Sequence, residues 1–187
     1  MKAKAAGAYR GIMAGWKWGT SLRSWKGLRK SEECFPPHPP LSAAHDRMKV
    51  VFDTSVLVAA ARSRLGASHA LVRSIPTPEF QLCLSVGLYT EWQSVLTRPE
   101  HLPPGQTPED AIRFLRYLAS QAHLQEIHFL WRPFLPDPND DMVLELAFAA
   151  GCRYIVTHNM TDFRGSKQLG VTAIGPREFL NLIRKKP

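Results

Sequence analysis

Four acids stand where a hydrolytic metal centre could be built. Asp53 directly follows the apolar run Val50-Val51-Phe52, and Glu91 lies inside the helical stretch after a second strand-like run. Asp141 falls in the first turn of a later helical stretch, and Asp162 follows Thr157 at the end of another strand-like run. Carboxylates gathered at one spot repel one another unless a divalent cation sits between them. All-oxygen ligation favours a hard ion, Mg²⁺ or Mn²⁺. Such an ion keeps waters, takes phosphate oxygens and acidifies a bound water, which points to phosphodiester hydrolysis. Each acid also has an ordinary use. Asp53 and Asp162 could be helix caps, Glu91 a solvated helix residue, and Asp140-Asp141 a pair answering a helix dipole.

The elements that must position these acids follow from the pattern of residue types. Val50–Phe52, Phe80–Leu84, Tyr154–Thr157 and Thr172–Ile174 read as strands, and Leu124–Leu130 is a further candidate. Between them run helical stretches. One starts at Asp53-Thr54-Ser55, a short second one covers Ala67–Val72, and a third is capped by Ser85 and reaches Leu96. Thr107-Pro108-Glu109-Asp110 is a helix entry with a cap, a first-turn proline and acids at the positive end of the dipole. Another helix opens at Asn139-Asp140-Asp141 and closes at Gly151, and a last one starts at Pro176. Strands alternating with helices define an α/β fold, a three-layer α/β/α sandwich with a mostly parallel central sheet. In such sheets sites form at the carboxyl ends of the strands.

The chain has 187 residues and a formal net charge of +8. A basic total suggests a polyanionic partner, but the charge is uneven. Residues 1–47 carry nine Lys/Arg against three acids, a net +6, and residues 48–187 carry the other 15 against 13, a net +2. The first segment holds three of the five Trp and ends in Pro36-Pro37-His38-Pro39-Pro40, which suits an extended spacer. Residues 1–47 are expected to be a disordered basic extension, with the folded domain covering 48–187. The extension reads as an upstream stretch before a natural start at Met48, a nucleic-acid-binding arm, or a targeting segment. A hydrophobic fraction of 44% excludes a chain disordered throughout. No apolar run approaches the roughly 20 residues of a membrane-spanning helix, so no membrane association is expected. Cys34, Cys83 and Cys152 are widely spaced without a CxxC pair, which suits a reducing cytoplasm.

Four blocks, taken in order, resemble the PIN domain family, and most closely its bacterial toxin branch in toxin–antitoxin pairs, the VapC-like ribonucleases. They are Val51-Phe52-Asp53-Thr54-Ser55-Val56-Leu57, Glu91 to Pro99, Asp137 to Ala147, and Tyr154 to Phe163. The resemblance covers residues 48–187 and none of the first 47. It implies an α/β/α nuclease that cuts RNA, single-stranded or structured, with Mg²⁺ or Mn²⁺. Asp53, Glu91 and Asp141 match the first three family acids. Asp141 is preferred to Asp140 because its spacing to Leu144 and Ala147 fits the pattern better. One position departs from the family, since Asn159 stands where an Asp often lies two residues after the Thr. Asp162 matches a further acid that could supply the missing charge.

The reading that follows is a metal-dependent endoribonuclease with Asp53, Glu91, Asp141 and Asp162 as catalytic residues. Asp53, Asp141 and Asp162 would hold the ion, and Thr157 and Asn159 would assist, Thr157 by a hydroxyl bond to Asp53 or its loop. Arg62, Arg64, Arg98 and Arg164 are candidates for backbone phosphate contacts. The resemblance also implies a homodimer and a cognate antitoxin that blocks the acidic site. Two alternatives compete. One is a non-catalytic binding module of the same fold, favoured by Asn159. The other is a phosphoaspartyl phosphatase with Asp53 as nucleophile, which wants a second Asp where Ser55 stands.

Overall fold

The computed structural model describes residues 47–128 and 132–185. The basic extension expected over residues 1–47 lies outside the described residues, apart from Arg47. The first strand, β1 (Met48–Phe52), is followed by helices α1 (Thr54–Arg62) and α2 (Ala67–Ser74). Then come β2 (Phe80–Leu84), α3 (Val86–Leu96), α4 (Pro108–Gln121) and the two-residue β3 (His123–Leu124). The chain continues with α5 (Pro138–Ala149), β4 (Tyr154–Val156), β5 (Thr172–Ile174) and α6 (Pro176–Arg184). Three of these helices begin with proline, whose fixed φ suits the first turn and whose missing N–H costs nothing there. At α4 a full capping box forms. Asp110 N donates to Thr107 Oγ1 at 3.3 Å, and Thr107 N donates back to Asp110 Oδ2 at 2.9 Å.

The five strands form one sheet in the order β3-β2-β1-β4-β5, and every pairing is parallel. β1 is central. From it the chain first moves outward through β2 and β3, then crosses back to β4 on the other side. The order therefore reverses between β1 and β4, and a crevice opens at the carboxyl ends of those two strands. Side chains alternate between the faces. Phe52 and Phe80 share one face, with ring centroids 5.7 Å apart, and Phe179 of α6 packs on Phe80 at 5.5 Å. On the opposite face Lys49 reaches the end of α5, donating to Ala150 O at 3.1 Å. Helices thus cover both faces of the sheet, as the sandwich requires.

The strand expected over Leu124–Leu130 is shorter than the apolar pattern suggests. Among the described residues of that stretch only Leu124 is strand, although Gln125 N still donates to Leu84 O at 2.9 Å. β3 lies at the edge of the sheet and Leu124 is exposed, so nothing buries an apolar face that would hold a longer strand. Among the described residues no helix is long and apolar enough to cross a membrane.

Trp92, beside Glu91 on α3, is fully buried with Leu88 and Leu96. It anchors the helix that carries the second acid. Its Nε1–H has no hydrogen-bond partner among the described residues. A buried, unpaired donor costs about 1–3 kcal/mol. Trp92→Phe removes that donor and keeps most of the volume, so it is expected to shift stability by less than about 1.5 kcal/mol. Trp92→Ala leaves a cavity and is expected to lose about 3–5 kcal/mol. Urea denaturation of the two variants checks the pair of values.

Candidate active site

The cleft at the carboxyl ends of β1 and β4 encloses about 500 Å³. Asp53 enters it from the end of β1. Its backbone N–H donates to Val156 O at 3.0 Å, which carries the β1–β4 ladder one residue beyond β1. Asp53 occupies the cap position of α1, yet its side chain makes no cap hydrogen bond. Instead Oδ2 accepts from Ser55 Oγ at 2.5 Å and from Thr157 Oγ1 at 2.7 Å. Asp53 is only 7% exposed, so these bonds fix the carboxylate against the cleft wall.

The same two hydroxyls tie down the loop after β4. Asn159 N donates to Thr157 Oγ1 at 2.9 Å, and His158 N donates to Ser55 Oγ at 3.2 Å. His158 Nε2 lies 2.8 Å from Ser68 Oγ of α2, so the loop is fastened at a third point. Asn159 lines the cleft.

Glu91 faces the cleft from α3. Thr54, the first residue of α1, donates to its Oε1 at 2.6 Å. Burial raises the Glu91 carboxyl above the ordinary glutamate range; the Thr54 bond opposes this, and the charges of Asp53 and Asp137 add to it.

The first turn of α5 departs from the sequence reading. Asp140 lines the cleft and Asp141 does not. Asp141 is 2% exposed and turns to the opposite side, where it accepts from Leu135 N at 2.8 Å and from Phe134 N at 3.1 Å. It fastens the incoming 134–135 segment to α5. The spacing that favoured Asp141 is the spacing of the core: Leu144 and Ala147, which share its register, are buried. One residue along a helix is a turn of about 100°, which carries Asp140 out to the cleft. Asp137, not singled out in the sequence, also lines the cleft, and it caps α5 by accepting from Asn139 N at 2.9 Å. An Asp-Pro pair at a helix start was the available signal.

Asp162 is not part of the cleft wall, but its charge reaches Asp140. The Asp140 carboxyl is pushed up to about 6, first by burial and then by the charges of Asp53, Asp137, Asp162 and Glu91. Of the four arginines, only Arg98 lines the cleft. Arg62 turns away, with Nη2 3.1 Å from His101 Nδ1.

The donor set suits a hard cation, being carboxylate and amide oxygens under mutual repulsion. Among the described residues no three His, Cys, Asp or Glu side chains converge on one point as a ready cage.

The chain is thus a parallel α/β domain with an acidic cleft at the switch point of its sheet. The family model of the PIN domain matches residues 49–161. The chain belongs to the PIN domain family. Among solved structures it is similar to VapBC-1 from nontypeable Haemophilus influenzae, at 18% identity and a TM-score of 0.50, covering 70% of this chain and 99% of that one. It is also similar to VapBC2 from Rickettsia felis bound to a DNA fragment from their promoter. That match has 13% identity and a TM-score of 0.49, and covers 68% of this chain and 98% of that one. No curated protein matches the chain. At 18% identity the VapBC-1 structure speaks to the fold alone.

Two substitutions separate the neighbouring acids. The raised Asp140 carboxyl binds its proton more tightly in the folded than in the unfolded chain, so ionising it disfavours folding. That penalty is absent below the ordinary value of 3.8 and complete above about 6. Asp140→Asn is therefore expected to raise the melting temperature at pH 7.5 in metal-free buffer, with the gain gone by pH 3.5. Asp141→Asn is expected to lower stability by about 1.5–3 kcal/mol, since two backbone donors lose a charged acceptor. Melting curves of both variants across pH 3.5–8 check the contrast.

Proposed function

We propose that this domain is a metal-dependent endoribonuclease and the toxin of a type II toxin–antitoxin pair. The observation that carries the proposal is the meeting of Asp53, Glu91, Asp137 and Asp140 in one cleft, with two of these carboxyls shifted upward by burial and by their neighbours. Membership of the PIN domain family and the VapBC-1 fold support it.

Asp53 and Asp140 would hold Mg²⁺ or Mn²⁺, with Asp137 and Asn159 reaching it directly or through water. When bound, the ion supplies acidification of a water and offsets charge growing on the phosphate. Glu91 is placed by Thr54 to accept the proton of the attacking water, and an upward-shifted carboxyl is a better base than an ordinary one. The water oxygen would bond to phosphorus as the bond from phosphorus to the 3′ oxygen breaks, and the departing 3′ oxygen would take a proton from solvent water. The products are a 5′-phosphate and a 3′-hydroxyl. Ser55 and Thr157 hold Asp53 still throughout, which removes the need to reorganise it during the reaction. Asp162 contributes negative potential from beyond the rim. Asp141 serves the fold.

RNA is the proposed substrate. A cognate antitoxin covering the cleft and a second copy of the chain are the proposed protein partners. A second reading, a weakened binding module of PIN fold, is favoured by Asn159 and by the lack of a ready three-ligand cage among the described residues.

Hydrolysis of a labelled single-stranded RNA separates the two readings. The nuclease is expected to cut with Mn²⁺ and to stop with EDTA. Asp53→Asn is expected to lower the rate by more than about a hundredfold, beyond the 10–100-fold typical of outer-shell partners. Cleavage that persists through both changes would contradict the proposal, and RNA binding without any Mn²⁺-dependent cleavage would favour the module.

A further inference from the structure

We propose that Arg98 binds a phosphate that flanks the scissile bond of a single-stranded RNA, and so sets substrate affinity rather than reaction rate. The inference rests on the nuclease reading for its substrate class and goes beyond it in naming a binding residue.

Four residues at helical spacing, Glu91, Ser94, Val95 and Arg98, line the same cleft. Glu91, Ser94 and Val95 form a stripe along α3, and Arg98 follows two residues past its end. Among the described residues Arg98 is the only basic side chain in that lining. Four carboxylates share the cleft, yet none of the ion pairs found among the described residues includes Arg98. An arginine beside four acids and bonded to none keeps its planar fork of donors available. That fork matches the paired oxygens of a phosphodiester.

The backbone at Arg98 is held in place. Its N–H donates to Val95 O at 3.2 Å, and its carbonyl accepts from His101 N at 2.9 Å. Pro99 keeps the preceding residue extended, and Arg98 has φ −68° and ψ 139°. The side chain therefore starts from a fixed point just past the end of α3. The helix from Glu91 to Leu96 rises about 8 Å and Arg98 follows two residues later, so the two backbones stand at different points along the cleft. Arg98 is exposed and belongs to the cleft lining, so a strand entering the cleft can meet it. Phosphate contacts of this kind position a strand without reading its sequence.

Binding and cleavage are to be measured separately for the full chain and for Arg98→Ala and Arg98→Lys. Anisotropy of a fluorescent single-stranded RNA 12-mer reads binding, with Ca²⁺ in place of Mn²⁺ to fill the acidic cleft. Arg98→Ala is expected to bind about tenfold more weakly. The slope of log affinity against log salt is expected to shrink by about 0.7, the loss of one single-strand phosphate contact. Arg98→Lys, which keeps the charge and loses the fork, falls between, and all three proteins are expected to melt alike. With Mn²⁺ the Arg98→Ala KM is expected to rise by about the same factor with kcat nearly unchanged. On a dinucleotide, which has no flanking phosphate, wild type and Arg98→Ala are expected to cleave equally.

Equal RNA affinity of wild type and Arg98→Ala would overturn the inference, as would a wild type that does not bind RNA. A similar loss on the dinucleotide would also overturn it, because Arg98 would then act at the scissile phosphate. A wild type that binds through Arg98 but never cuts would uphold the contact and defeat the nuclease reading.

Discussion

The hydrogen bond from Asp53 N to Val156 O extends the central parallel ladder past the end of β1. It sets Asp53 beside Thr157, and the Thr157 and Ser55 hydroxyls then fix the carboxylate. The remaining acids arrive by separate routes. α3 carries Glu91 across from the end of β2, and the first turn of α5 carries Asp140. Each is useful only because β1 stops where it does, with an acid as its next residue. Moving Asp53 one position along the extended chain would turn its side chain to the other face of the sheet.

Gathering these charges works against stability. Burial and mutual repulsion raise Glu91 and Asp140, which means the fold holds them in a condition that isolated carboxylates would avoid. A cation would relieve that condition, so the proposed affinity for metal and the local destabilisation would have one origin. The hydroxyl bonds to Asp53 and the Thr54 bond to Glu91 keep the charged groups in place without neutralising them. Arg98 also leaves the repulsion intact, since no ion pair among the described residues joins it to the acids. Arg132 illustrates the other solution, pairing with the buried Glu145 at 3.2 Å.

Much of the fold was legible because the local signals agreed with the packing. Phe80–Leu84 is both a largely apolar run and an inner strand between β1 and β3, and Thr107 and Asp110 form the box that their types announce. The meeting of Asp53 and Glu91 in one cleft was legible from strand and helix context. Asp140 was not, because sequence spacing identifies the buried stripe of a helix and the cleft-facing side of α5 is the edge of that stripe. Asp141 fits the core period because it belongs to the core side, where it binds the Phe134 and Leu135 amides. Those amides lie in a proline-rich segment whose path no period encodes. The end of the Leu124 strand was hidden for a related reason, since edge position and exposure are properties of the assembled sheet.

The central claim is that Asp140 and Asp53 share one cation. Calorimetric titration of the full chain with Mn²⁺ at pH 6, in two buffers of different ionisation enthalpy, tests it most directly. Asp140 is close to half-protonated there, so binding is expected to release a substantial fraction of a proton. The release is expected to fade at pH 8 and to be lost in Asp140→Asn. Binding with the same proton release in Asp140→Asn, or no Mn²⁺ binding by the wild type, would contradict the account.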